Sequence, residues 1–449
     1  MLLNFLAKYN KMKVRFFLSA ILLLALNATA QEFKKLDSLF NNLEAANKFI
    51  GSAAIAKNGK IIYAKQTGFI DAENKIKPDI NSKYRIGSIT KMFTSALILK
   101  ACEEKKLKLD QSVSEFFPQL QKGSIITIEN LLNHSSGIHN FTDNENYFDW
   151  DNAPITQKAL LDTIYKGGFD FEPGARSEYS NSNYVLLTLI LEKIYKKSYG
   201  EILKSKITVP FSLNNTYVGS HADPSKNESF SYSFKNNKWE KLDETDMSIP
   251  LGAGCLVSNV GDLVKFSRAL FSGEIIKDSS LIKMETVKNN YGLGLFKIPF
   301  YQKTGFGHSG GIDNFSTILY YFPKDEVTVV ILSNGGTYST NSVSIAMLSE
   351  MFGREYDIPS LEALSFTEND LKKYTGVYSS DDIPLKITIS NSGTELIGQA
   401  SGQSSFPLMP GPTNVYSFDE AGIKIIFEPV NQTMILQQRG KEYKFKMEK

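Results

Sequence analysis

HSGGIDNFSTILYYFPKDEVTVVILSNG, from His308 to Gly335, reads as three short apolar strands broken at Ile312-Asp313-Asn314 and at Pro323-Lys324-Asp325. A matching signal stands far upstream, in GSAAIAKNGKIIYAKQTG (residues 51–68). There Asn58-Gly59 supplies the positive backbone angles of a two-residue turn between two β-prone runs. Before that hairpin, Leu36, Leu39, Phe40 and Leu43 recur at helical spacing and predict an amphipathic helix within Glu32–Phe49. From Ser88 to about Leu270 the chain is mainly helical and loop-like, strands return near Tyr291, and a helix over Thr340–Phe352 closes the unit. Strands at both ends with helices between make one sheet from the two ends of the segment. The expected fold is α/β, an α/β/α sandwich with a helical lobe inserted.

From about Leu364 the texture changes. TGVYSS, LKITIS, ELIGQAS, VYSFD, IKIIFEP, TMILQQ and YKFKM are short, β-rich and separated by turns, which predicts a second, small all-β domain behind the linker Asp357-Ile358-Pro359. Met12–Ala30 (MKVRFFLSAILLLALNATA) has the charged start, short apolar run and small-residue end of a secretory leader. The expected division is 1–30 leader, 31–355 main domain and 365–449 β domain. The protein is then periplasmic or extracellular after cleavage near Ala30. The apolar run is short of the about 20 residues that cross a bilayer, so no stable membrane span is expected.

Composition excludes several classes. Hydrophobic residues are 42% and charged residues 22%, enough apolar material for a packed core. With 50 Lys and Arg against 48 Asp and Glu, no basic excess exists to hold nucleic acid. Cys102 and Cys255 are too few for a disulfide scaffold or a thiolate zinc site, and read as two buried small hydrophobes, their pairing left open. The four histidines stand in no metal-binding spacing, so no metal and no cofactor is expected.

Ser88-Ile89-Thr90-Lys91 precedes the apolar stretch MFTSALILKACEE, which puts the serine at a helix N-terminus. Backbone N–H groups there are free to bind an oxyanion. Lys91 lies one turn on, and a desolvated amine next to a hydroxyl can take its proton. The motif is weak alone: Ser88 is as readily a helix cap, and Ser280-Leu281-Ile282-Lys283 has the same form by chance. Its company strengthens it. Tyr179-Ser180-Asn181, after Glu172-Pro173-Gly174 and before an apolar helix, can aim a phenol for proton transfer and an amide at a substrate carbonyl. His308-Ser309-Gly310-Gly311 opens a strand whose small residues let a substrate backbone lie close. His134 and His139 read as structural or loop residues, and no G-x-S-x-G elbow supports a Ser-His-Asp triad.

In this order S-x-x-K, Y-x-N and H-x-G resemble the penicillin-recognising serine enzymes: class C β-lactamases, DD-peptidases and related esterases. ITIENLLNHSSGI, FEPGARSEYSNSNYVLLTLILEK, GAGCLVSNVGDLVKFSRAL and YGLGLF extend the resemblance over about Lys34–Phe352. It implies an antiparallel sheet, a Ser88 acyl-enzyme with Lys91, Tyr179 and His308 catalytic, and substrate contacts from Asn181, Ser309, Gly310 and Gly311. The Ser88 and Gly311 backbone N–H groups would form the oxyanion hole. The substrate would be a small peptide, amide or ester, peptidoglycan-derived peptides among them. β-Lactamase activity is one alternative, and a non-catalytic penicillin-binding or ligand-sensing protein is the other.

Lys303-Thr304-Gly305 competes with His308 for the third element, but an odd offset along a strand faces opposite sides. His308 is preferred, and its ordinary pKa near 6.5 predicts a bell-shaped pH profile on carboxy-terminated peptides. Leu371-x-x-Tyr374-x-Gly376-x-Tyr378 with the strands that follow looks like the lipocalin-like barrel appended to many such enzymes.

Overall fold

A computed structural model describes residues 33–448, apart from 236, 289–290, 359–367, 394, 402–404, 412–413, 419–421 and 439–440. The expected leader at 1–30 and Pro359 of the expected linker lie outside the described residues. Helix α1 (Lys34–Ala45) leads into the hairpin β1 (Phe49–Lys57) and β2 (Lys60–Thr67). Helices α2 (Thr90–Glu103), α3 (Asn181–Tyr195) and α4 (Val260–Phe271) dominate the middle of the chain. Strands β3 (Phe296–Phe300), β4 (Lys303–Ile312), β5 (Phe315–Phe322) and β6 (Val327–Gly336) precede helix α5 (Thr340–Met351). The sheet order is β2-β1-β6-β5-β4-β3 and each neighbouring pair is antiparallel, so the two ends of the segment do meet.

Alternation along β6 explains the layers. Val329 and Ile331 pack with Leu36, Leu39 and Phe40 of α1 and with Val343 and Met347 of α5. Val330 and Leu332 face the other way, into the larger core of Phe93, Leu97, Leu186 and Phe266. A strand covered on both faces is buried at nearly every position, as β6 is from Val327 to Gly335, with an apolar run over Val329–Leu332. Asn58 (φ 51°) and Gly59 (φ 72°) make the expected tight turn. Two details differ from the sequence reading. Helix α1 stops at Ala45, because Asn47 turns left-handed (φ 53°) and Phe49 already belongs to β1. The strand carrying His308 starts at Lys303, so both candidate third elements share it. The short hairpin Tyr232–Lys235 and Lys238–Lys241, and the three-stranded sheet of Tyr84–Arg85, Leu256–Ser258 and Tyr217–Val218, are too brief to leave a periodic signal.

The C-terminal strands, Gly376–Ser379 through Lys441–Met447, form a closed barrel of eight, shut by Tyr378 opposite Met447. Its architecture fits a lipocalin-like domain. The strand missing from the sequence reading is Ser405–Pro410, whose Pro407 and Pro410 argue against a strand. Leu371, Tyr374 and Tyr378 of the expected motif all enter the barrel core, with Ile387, Phe427 and Met434.

Arg85 ties distant segments together just ahead of Ser88. Buried, it donates to Glu244 (2.7 Å), Asp313 (3.0 Å) and the carbonyls of Thr245 (2.8 Å) and Ser220 (3.0 Å). Removing it strands two buried carboxylates. Arg85→Ala is therefore expected to lower stability by about 3–5 kcal/mol in urea unfolding; a loss under about 1 kcal/mol would place the pair with solvated surface pairs.

Candidate active site

Ser88 sits in a tight 3₁₀ turn, Gly87–Ile89, that runs straight into α2. Helix α2 is apolar around almost its whole circumference, which is why it occupies the centre of the larger core. Lys91, in its first turn, has nowhere to go but inward and is fully buried. Its Nζ reaches Ser88 Oγ at 3.0 Å, Asn181 Oδ1 at 2.8 Å and the Ala253 carbonyl at 2.8 Å. Asn181 opens α3, held by Asn140 Oδ1 on its N–H and by Thr142 Oγ1 on its amide. Tyr179, on the loop before it, donates to Ser88 Oγ at 2.7 Å. Residues 88, 91, 179 and 181 thus meet at one oxygen and one amine.

Burial lowers the Lys91 pKa well below its ordinary value, and none of its three partners is an acid. A neutral amine has two N–H groups, and the Asn181 and Ala253 carbonyl oxygens take both. Its lone pair is then left for the Ser88 hydroxyl. Burial also raises the Tyr179 pKa, the hydrogen bond to Ser88 partly offsetting it, so the phenol is protonated and acts as a donor. The chemistry open to this arrangement is deprotonation of Ser88 by a neutral base, with a proton donor on the same oxygen.

The third element is fixed by close backbone packing. A Cβ on Gly310 would lie 2.1 Å from the Ile86 carbonyl oxygen and 3.0 Å from Ser88 N. Gly87 is left-handed (φ 49°), and a Cβ there would be 2.9 Å from Gly311 N. The Gly87–Ser88 turn and the Gly310–Gly311 backbone are thereby packed directly against each other. Strand β3 pairs with β4 only as far as Phe296 opposite Gly307, so no strand covers that edge of 308–311 among the described residues. Ser309 is exposed but does not line the cleft that Ser88 opens into.

Lys303 and His308 do face opposite sides. Lys303 pairs with Asp325 (2.6 Å) and lies over the Phe352 ring, on the α5 side. His308 is buried toward Tyr179, its ring 6.1 Å from the phenol ring. Its Nδ1 hydrogen-bonds the Ser309 carbonyl, so Nδ1 carries the proton and Nε2 accepts from Tyr291 Oη at 2.9 Å. Burial, helped by Lys91 nearby, pushes its pKa down to about 3. This environment favours the neutral ring as a hydrogen-bonding group over the cation that the expected bell-shaped profile requires. His139 pairs with Asp170 (2.9 Å) at the periphery, whereas His134 stacks on Tyr179 with ring centroids 4.6 Å apart.

Sequence reasoning missed the wall of the site. A cleft of about 640 Å³ contains Ser88, Asn181 and Gly311 together with Tyr147, Phe148, Asp151, Asp243, Glu244 and Asp313. Among the described residues no Lys, Arg or His lines it. These acids come from three separated segments, and nothing in their local patterns marks them. Only Arg85, three residues before Ser88, was a visible clue to buried acids. A second cavity, about 580 Å³ beside Cys102 and Lys283, touches none of these residues. Cys102 and Cys255 are both free thiols. Among the described residues no cluster of His, Cys, Asp or Glu is arranged to hold a metal, and no helix is long and apolar enough to cross a membrane.

Comparison with known proteins agrees with this geometry. A penicillin-binding protein of Bacillus subtilis (strain 168) is 26% identical over 443 residues, covering 91% of this chain and 97% of that one. The octameric penicillin-binding protein homologue from Pyrococcus abyssi superimposes with a TM-score of 0.66 at 26% identity, covering 92% of this chain and all of that one. A D-stereospecific amidohydrolase from Streptomyces sp. gives a TM-score of 0.62 at 28% identity, over 71% of this chain and 99% of that one. The profile of the family described as Beta-lactamase matches residues 36–347, more than half of the chain. With Ser88, Lys91, Tyr179 and His308 all inside that match, the chain belongs to the Beta-lactamase family.

Proposed function

We propose that the protein is an exported serine hydrolase that cleaves an amide or ester through an acyl-enzyme on Ser88, of the D-amino-acid-peptide peptidase or esterase type. The observation that carries this reading is the fully buried Lys91 amine 3.0 Å from Ser88 Oγ, with the Asn181 and Ala253 carbonyl oxygens as its other partners and burial lowering its pKa toward the neutral form. Ser88 Oγ gives its proton to Lys91 and bonds to the substrate carbonyl carbon, while the Ser88 and Gly311 N–H groups hold the oxyanion. Tyr179 hands its proton to the leaving nitrogen or oxygen as that bond breaks. Water then attacks the ester and gives a proton to the phenolate, and Ser88 Oγ recovers its own from Lys91. Asn181 both takes a Lys91 proton bond and offers its amide toward the cleft. The D-stereospecific amidohydrolase among the structural relatives supports an amide substrate.

The cleft disfavours the β-lactamase alternative, since a β-lactam carboxylate would meet Asp151 and Asp243 there, while Arg85 is already engaged by Glu244 and Asp313. In a panel of D-amino-acid amides, short acyl esters, D-Ala-D-Ala peptides and a chromogenic cephalosporin, amides and esters bearing a free ammonium group are expected to turn over fastest. A fluorophosphonate probe should label the wild type and not Ser88→Ala. Label retained in that variant, or a burst with no turnover on any substrate, would contradict the reading.

His308 also makes a pH prediction. It stays neutral down to about pH 3, so only Lys91 governs the rise of activity with pH, and it must lose its proton to act. Carboxy-terminated peptides and neutral esters should gain kcat/KM in parallel as pH rises through the lowered Lys91 titration. A fall confined to the carboxy-terminated peptides would show that His308 works as a cation.

A further inference from the structure

His134 lies far in sequence from Ser88, Lys91 and Tyr179, yet it backs all three. Its backbone is left-handed (φ 59°). Its carbonyl accepts the N–H of Glu178 (2.9 Å) and its Nδ1 accepts the N–H of Ser180 (3.2 Å), so the residues on both sides of Tyr179 are bonded to this one residue. The imidazole fills the space between the Tyr179, Tyr184 and Tyr291 rings, at centroid distances of 4.6, 5.3 and 4.5 Å. Asn183 Nδ2 donates to the same Nδ1 at 3.2 Å, its Oδ1 being taken by Ser136 Oγ. Two N–H groups on Nδ1 put the ring proton on Nε2.

Nε2 is buried and has no hydrogen-bond partner among the described residues. A buried donor without an acceptor costs stability that a phenyl ring in the same space would not. Packing therefore does not account for an imidazole here; the acceptor at Nδ1 does.

We propose that His134 is a positioning residue for Tyr179, its carbonyl and Nδ1 clamping the backbone at 178 and 180 while its ring holds the phenol on Ser88 Oγ and keeps water from Lys91. The inference rests on the acyl-enzyme reading above. The titratable groups around it are Lys91, His308 and the phenols of Tyr179, Tyr184 and Tyr291. Both histidines are held neutral by burial with Lys91 nearby, and burial raises all three phenols. Lys91 is thus the group left to titrate in the working range.

The test compares His134→Phe, which keeps a ring and loses the acceptor, with His134→Asn, which keeps an acceptor and suits a left-handed backbone. Hydrolysis of a short-chain p-nitrophenyl ester is followed against pH, each rate divided by the Ser88 that a fluorophosphonate labels so that misfolded molecules do not count. His134→Phe should lose roughly 100-fold in kcat with little change in KM, the order expected for a displaced catalytic group. Its acid limb should stay near the wild-type position, because the phenyl ring still keeps water from Lys91. His134→Asn should keep most of the high-pH rate but move its acid limb to higher pH, because water entering where the ring was returns Lys91 toward its ordinary pKa; His139→Gln, in the same segment, should match the wild type. A His134→Phe enzyme as fast as wild type per labelled site would overturn the proposal, as would equal losses in both variants with the limb unmoved. A wild type that forms no Ser88 adduct contradicts the acyl-enzyme reading, and the clamp falls with it.

Discussion

The burial of one amine organises the rest of the catalytic region. Burial disfavours a charged ammonium at the Lys91 position, and its neighbours are a hydroxyl and two carbonyl oxygens rather than an acid. The surrounding packing keeps it so. Thr94 bonds Tyr199 and the Gly252 carbonyl, and a Cβ on Gly252 would strike Thr188 and Thr94. The turn that offers the Ala253 carbonyl is therefore pressed against α2 and α3, and only a glycine allows it. What would be a destabilising defect elsewhere becomes a base of suitable strength beside a nucleophile.

A second constraint is the distance of approach between the serine turn and strand β4. Gly87 and Gly310 face each other's backbones, and either side chain would force them apart. That contact holds the backbone of Gly311 close to the serine turn. Arg85 fixes the same junction from behind, through acids contributed by the 244–245 segment and by Asp313 at the end of β4. Sheet, turn and inserted lobe are in this way referred to one point, which is what a site needing positional accuracy requires.

Much of this was legible in the sequence because it is local. The Asn58-Gly59 turn, the helical spacing of α1 and the apolar alternation of β5 and β6 each follow from neighbouring residues, and together they gave the sandwich. Ser88 and Lys91 were readable because one helical turn joins them, and Tyr179 and Asn181 because they flank a helix start. The odd offset between Lys303 and His308 correctly sent them to opposite faces. The protonation state of His308 was not readable, since it depends on burial and on Lys91 more than two hundred residues away in sequence. The acidic cleft wall and the role of His134 were hidden for the same reason: each is a meeting of segments whose separate patterns look ordinary. Ser405–Pro410 was missed for the opposite reason, a local rule about proline that barrel closure overrides.

The account stands on the charge state of Lys91, and that can be observed directly. In protein carrying carbon-13 at the lysine ε-position, with the Lys91 signal assigned by its loss in Lys91→Met, the resonance is followed against pH by NMR. It is predicted to titrate far below the ordinary 10.5 and to report a neutral amine at neutral pH. A midpoint at or above 10.5 in the folded protein would mean a charged Lys91, and would contradict its assignment as the base that activates Ser88.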